Sequence, residues 1–452
     1  MTVNRSTIAQ IRFGYGFHPA HSAPRGPEDV LDQAYQGSRT KLFFPITDLQ
    51  GRRNLLEKMI ERRKAKDMEG RKKIIRQMRQ GAISDISGRV FQRALSQHGF
   101  YERLAAFWAD HFSVSGRNPG QVYMLPTFEI DVIRPHIMGR FEDMLAAVVQ
   151  HPAMLHYLDQ VESFGPASRA GKLRDRGLNE NLAREVLELH TLGVGGPYSQ
   201  EDVRQFAELL TGYGVQRGYL RFRFFPQRAE PGVETVMGKT YGGDPAKVSH
   251  ALELLRDLAR HRVTADHMAR KLAVHFVADD PDPDLVRHIA EAWRRSGGNL
   301  PQVYQALVEH KASWRGFGAK IKRPQELMIS TLRAMGANKA QAKRAMQPGR
   351  PSRQVFLTLK ALNQPMFQAP GPDGWPEEAE AWITPQGLAA RLQYAGKAGH
   401  QIAETTDIDP RRFAEDALQD ALRPDTAFAV SAAPDRWEGF AFALASPEFN
   451  RR

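Results

Sequence analysis

The sequence predicts a mainly α protein: a compact multi-helix bundle with one small β-hairpin around residues 219–239. Two observations lead there. After Ser84 nearly every stretch repeats apolar residues three and four apart, and residues that start or stop helices stand between the stretches. Strand-like alternation is confined to one place, where Tyr219 to Phe225 alternates, Ala229 to Gly232 reads as a turn, and Val233 to Met237 reads as a second extended run.

The elements follow in order. Pro152 opens a helix carrying Met154, Leu155 and Leu158. Ser199 and Asp202 form a capping-box-like entry to a helix with Val203, Phe206, Ala207 and Leu210, which Gly212 ends. Further helices are expected over 245–260, 265–277, 284–296, 301–311, 324–335, 353–362, 385–395, 411–422 and 436–444. About half or more of the chain should be helical, above the usual share of about one third. Two loops are long enough to be functional or mobile: the Gly- and Arg-rich 163–177 and the Pro-, Gly- and Trp-rich 364–384. Residues 1–50 read as an N-terminal segment, 51–81 as a basic amphipathic helical segment, and 84–452 as the helical body. A boundary near 311–323 and a single compact body fit the pattern equally.

A chain of 452 residues with 42% hydrophobic and 25% charged side chains can bury one large core or two ordinary ones, which excludes a disordered class. No cysteine is present, which removes disulfides, thiolate metal sites and cysteine nucleophiles. No stretch approaches the roughly 18 apolar residues of a membrane span, and Met1 to Pro19 lacks the unbroken apolar run of a secretory signal. The expectation is a cytoplasmic protein; export with a signal-bearing companion would place it in the periplasm.

The net charge of +12 is concentrated. Between Gly51 and Gly81 stand twelve Lys or Arg residues against four acids, a net of +8 from this segment alone. Leu55, Leu56, Met59, Ile60, Ile74, Ile75 and Met78 give it one apolar side, interrupted near Gly70. Its Arg62, Arg63, Lys72 and Lys73 are candidates for a phosphate-contacting or acidic-partner surface. A solvated connecting helix whose Lys and Arg stems cover apolar surface is the plainer reading of the same pattern, because aromatic interleaving of the kind that stacks on bases is missing.

The densest polar constellation runs from Asn179 to Gly193. On a helix Leu182, Val186 and Leu189 form the apolar stripe, while Asn181, Arg184, Glu185 and Glu188 share the opposite arc. Carboxylates at i and i+3 could share a divalent cation or divide acid and base roles, with Asn181 and Arg184 beside them. An ordinary exposed face with Arg184 pairing Glu188 fits as well. His111, on the face of Phe100, Leu104 and Phe107, should be buried and need a partner. A carboxylate from the Asn181 arc would make it an orienter or co-ligand, so the candidate metal set is His111, Glu185 and Glu188; a backbone carbonyl would make it a core histidine. His190 reads as core. His151, His156, His267 and His275 show no ligand spacing to one another. Trp375 and Trp382 bracket the acids Glu377, Glu378 and Glu380, and they either seat a ligand or partner or pin the loop. No P-loop, dinucleotide fingerprint or nucleophile-elbow motif occurs.

The run from Asn179 to Gly193, followed by Tyr198 to Tyr213, resembles the signature of the bacterial family called domain of unknown function 1800. Shorter pieces agree in order, among them Arg12 to Gly14, Phe107 to Phe112, His151 to Asp159, Lys271 with Leu272, Lys322 to Leu327, Pro370 to Pro376, Trp382 to Thr384 and Ser446 to Phe449. The resemblance spans almost the whole chain. It implies a helical fold and a neighbouring gene for a protein similar to sulfatases and alkaline phosphatases, with no established activity. Two positions depart from the pattern: Arg228, Ala229 and Glu230 stand where relatives often have a His-Asp pair, and Gln160 where they often have Asn.

Three readings of function follow. The first is an accessory or binding protein acting with a sulfatase- or phosphatase-like partner. The second is a hydrolase built on His111, Asn181, Arg184, Glu185 and Glu188 with a divalent metal ion as candidate cofactor. The third is nucleic-acid binding through the basic helix.

Overall fold

The computed structural model describes residues 3–44, 49–174, 177–216, 221–347 and 349–452. The protein is 66% helical, with two small antiparallel two-stranded sheets. Helix starts follow the expected chemistry. Ser199 and Asp202 close a reciprocal capping box on the Gln200–Leu210 helix, and Pro152 takes the first turn of Pro152–Tyr157.

Pro385–Thr405 runs ten residues beyond the expected end at Ala395, because Ala398 and Ile402 continue its buried face. Pro27–Arg39 lies inside the segment expected only as an N-terminal stretch, and it buries Val30, Ala34 and Gly37. The basic segment is broken at Ala65 to Asp67 rather than at Gly70: Leu49–Lys64 ends there, and Asp67 caps the next helix, Met68–Leu95, by accepting from the Gly70 amide at 2.8 Å. That second helix continues past residue 81 into the body, where its last ten residues are buried.

The strand region also differs in its pairing. Tyr213–Val215 (β1) pairs with Phe222–Phe224 (β2), and Gly232–Val236 (β3) pairs with Lys239–Gly243 (β4). Both expected extended runs exist, yet each pairs with a neighbour outside the expected hairpin; Tyr219 and Leu220 lie outside the described residues. Gly238 at φ +77° and Met237 at φ +49° make the tight β3–β4 turn, a stronger hairpin signal than the Ala229 to Gly232 stretch.

Packing falls into clusters. The largest core gathers side chains from Ala9 to Ala312 around Phe100, Trp108, Phe112, Phe141 and Trp293. A second runs from Leu327 to Phe449, and a third joins Tyr15 and the end of the Met68–Leu95 helix to residues 328–366. Between the first and second cores the chain crosses a buried charged stretch: Lys320, Lys322 and Arg323 are all nearly inaccessible.

Candidate functional site

The Arg262–Phe276 helix buries Ala265, Met268, Ala269, Leu272 and Phe276 in the main core. His267, Arg270, Lys271 and Val274 form a second stripe, spaced three, one and three residues apart. That stripe walls a cavity of about 420 Å³. Phe107, Asp110 and His111, at the end of the Gly99–His111 helix, form another wall, and Asp373 to Glu378 of the long loop form a third.

The loop is held as a wall by backbone hydrogen bonds. The Trp375 amide donates to Asp110 Oδ1 at 3.1 Å, the Ala379 amide to Asp279 Oδ2 at 2.9 Å, and Lys320 Nζ to the Glu377 carbonyl at 2.6 Å. Gly374 has φ +88°, and a Cβ there would stand 2.6 Å from the Asp110 carbonyl oxygen. Conformation and proximity both demand glycine.

Behind the wall lies a layer of buried ions. Arg323 Nη1 reaches Asp110 Oδ2 at 2.5 Å and Glu377 Oε1 at 3.4 Å. Glu377 also meets Lys320 at 3.2 Å and His275 Nδ1 at 2.5 Å. Burial holds the His275 ring neutral, down to about 3, so Nδ1 donates to Glu377 and Nε2 accepts from Arg103 at 3.3 Å. Arg103 and Arg452 both pair with Glu326, at 3.1 and 3.0 Å. Four cations, Arg103, Lys320, Arg323 and Arg452, are thereby matched by four carboxylates, Asp110, Asp279, Glu326 and Glu377.

Lys271 stands outside that matching, as does the buried Lys322, which burial brings down to about 7. Burial lowers the Lys271 pKa, opposed by the attraction of Asp110, Glu377 and Asp373. Asp110 and Glu377 are already engaged by the layer behind, and Asp373 is exposed at the rim. Among the described residues no hydrogen bond or ion pair holds the Lys271 ammonium. Its charge also acts on three imidazoles. Burial first, and then Lys271, hold His111 well below the ordinary range, His190 at about 3 and His267 at about 4. His111 Nδ1, His267 Nε2 and both ring nitrogens of His190 are buried and have no hydrogen-bond partner among the described residues.

Of the residues expected from sequence, His111 is buried as anticipated, between Phe107, Trp108, Phe112 and Phe141. Its Nε2 meets the His190 carbonyl at 3.3 Å, so a backbone oxygen takes the place expected for a carboxylate. The Asn181 arc forms, but in two parts: Asn181–Glu185 is α-helical and Val186–Thr191 is a π turn, a feature frequent near functional sites. Asn181 is exposed, and Arg184 bridges Glu180 at 3.0 Å and Glu188 at 3.4 Å, the surface pairing that the spacing allows. Glu185 is half-buried, and burial together with Glu188 and Asp373 pushes its carboxyl up to about 6. Among the described residues no three His, Asp or Glu side chains gather as metal ligands, so His111, Glu185 and Glu188 do not form the metal set.

Arg62, Arg63, Lys72 and Lys73 are exposed, with Arg62 paired to Asp67 and Lys72 to Glu69. Arg52 leaves that surface: it is buried against Tyr123 and Asp85. Trp375 lines the cavity, whereas Trp382 is 5% exposed and donates to the Pro376 carbonyl at 3.0 Å, so it pins the loop and is no partner surface. Lys271, Asp110 and Glu377 were not singled out by spacing. The available signal was positional, since three of the short resembling pieces, Phe107 to Phe112, Lys271 with Leu272, and Pro370 to Pro376, all meet at this cavity.

Among the described residues no helix is long and apolar enough to cross a membrane. No curated protein and no solved structure matches the chain. One family model, described as "Protein of unknown function (DUF1800)", matches residues 8–451. With its signature helix beside the cavity and nearly its whole length matched, the chain belongs to that family.

Proposed function

We propose that the protein is a binding protein for a small ligand bearing an oxyanion, taken into the cavity beneath Trp375 with Lys271 as its charge partner. One observation carries the reading: the Lys271 ammonium faces a cavity of about 420 Å³ whose inner acids are already paired from behind. A half-buried cation left outside such matching is held at a cost, and a ligand anion supplies the missing charge. The volume lies in the range typical of small-molecule sites, and Phe107, Val274 and Trp375 give it apolar walls. Sulfate and phosphate esters have this chemistry. That agrees with an accessory role beside a sulfatase- or phosphatase-like partner, the partner class that the family resemblance implies.

Calorimetric titration with sulfate, phosphate and nitrophenyl sulfate tests it. Saturable binding is expected, weakened at least about tenfold in Lys271→Met. The reading fails if no anion binds, or if the variant binds as well as the parent.

A second reading rests on Glu185. A carboxyl pushed up to about 6 beside Asp373 at the rim is suited to acid–base work near neutral pH. As a metal-free hydrolase, the protein would cleave a nitrophenyl ester with a pH limb near 6 that disappears in Glu185→Gln. The exposed basic helix supports nucleic-acid binding only through charge, and a flat salt dependence of duplex binding would end that reading.

A further inference from the structure

A second cavity, larger and of different chemistry, lies where the second and third cores meet. The Pro385–Thr405 helix packs chiefly on Arg436–Ala445, which leaves its opposite side facing Arg350–Ala361 across a gap. The gap measures about 600 Å³ and is floored by Met328, Leu332 and Met335 of the Pro324–Ala334 helix and its cap. It follows the line where the second and third cores meet, and both Leu332 and Tyr394 pack against each. Seams of this kind are preferred ligand sites.

The floor is apolar because its polar atoms are already satisfied. Thr331 Oγ1 donates to the Leu327 carbonyl at 2.9 Å, and the buried Tyr394 hydroxyl bonds to Thr331. The mouth is charged in one sense only. No Asp or Glu lines the gap among the described residues, while Arg344 stands at one lip and Lys397 at the other, both exposed and neither in an ion pair among the described residues. The three helices that frame it, Lys339–Met346, Arg350–Ala361 and Pro385–Thr405, together hold eight Lys or Arg and a single acid, Glu404. An apolar trough with a cationic rim recognises an amphiphile with an anionic head.

Length and rim charge together suit one extended acyl chain with an acidic head. The Pro385–Thr405 helix lines the gap from Ala390 to Thr405, about 22 Å of trough. A single extended acyl chain fits. Leu357, 52% exposed at the edge, is the kind of apolar side chain that such a chain would cover.

We infer that this gap is a binding site for a long-chain fatty acid, with Arg344 and Lys397 holding the carboxylate and the trough between the Arg350–Ala361 and Pro385–Thr405 helices holding the chain.

Displacement of a fluorescent polyene fatty acid from the full chain by hexadecanoate and by hexadecan-1-ol tests it. Saturable binding is expected, with hexadecanoate at least about tenfold tighter than the alcohol. The exposed pair Arg344→Glu with Lys397→Glu should remove that preference while leaving alcohol binding within about twofold, and Leu357→Glu should weaken both ligands. Lack of saturable displacement, equal affinity for acid and alcohol, or unchanged binding in the charge-reversed protein would each overturn the site. Displacement by an acidic amphipathic peptide but not by hexadecanoate would do so too, in favour of a docked partner. Thermal unfolding of the variants, all at exposed positions, checks that the fold is kept.

Discussion

Glu129 and Lys271 show how differently one molecule treats buried charge. Burial alone would push the Glu129 carboxyl up, but Arg89, Arg134 and Arg93 outweigh it and bring it down to about 2. A carboxyl with a depressed folded-state pKa stabilises the fold above the unfolded carboxylate range, near pH 4 to 5, and that contribution fades as pH falls through about 2. Glu129→Gln should therefore cost about 3–5 kcal/mol at pH 7. In denaturant titrations the penalty should shrink between about pH 5 and 2, and a constant penalty would show that packing rather than charge is lost. Lys271 stands on the other side of the account. Its depressed pKa means that the protonated form costs the ligand-free fold stability, a cost relieved only as pH rises toward the free-lysine value. Lys271→Met should raise the ligand-free Tm by about 1–3 °C at pH 7 and bring no gain above about pH 10. A residue that stability would discard is a reasonable place to look for function.

At the level of elements, the long loop is the piece on which the cavity depends. Its contacts with Asp110, Asp279 and Lys320 run mainly through its backbone, so loop geometry matters more than loop side chains. Gly374→Ala should cost about 1–3 kcal/mol through its forced positive φ. It should also weaken anion binding by lifting Trp375 from Asp110; calorimetry read beside thermal unfolding separates the two effects. Helices such as Gln200–Leu210 were legible because capping chemistry and an apolar stripe agree within eleven residues. The strands were legible as strands but not as pairs. Phe222–Phe224 alternates in either pairing, and the pairing with Tyr213–Val215 brings Tyr213 and Phe222 edge to face at 5.0 Å, which periodicity does not report.

Across the whole molecule, the layer of ions does the joining that a shared apolar core would do elsewhere. Arg103 belongs to the first core, Glu326 opens the helix that enters the second, and Arg452 closes on both. Burial raises Glu326 less than Arg103, Arg452 and Arg323 lower it, so it stays ionised throughout the ordinary pH range. Glu326→Gln should cost about 3–5 kcal/mol and separate the unfolding of the two cores, so that one calorimetric transition becomes two. The candidate site belongs to this scale as well, which explains why so little of it was legible. Asp110, Lys271 and Glu377 are separated by more than a hundred residues each from the next, and nothing in local spacing says that they meet. His111 was legible as a buried ring because its neighbours Phe107 and Phe112 are local; its partner, the His190 carbonyl, was not.

Arg12 carries the same long reach into the order of assembly. Its guanidinium donates to the carbonyls of Ser313, Arg315 and Gly316 at 2.7, 2.8 and 2.9 Å, a span of about three hundred positions. The Arg12 guanidinium therefore has no carbonyls to meet until most of the polypeptide has emerged, although Phe13 beside it can already pack on Phe100. Closing so large a ring is entropically slow, so these three bonds come late in assembly.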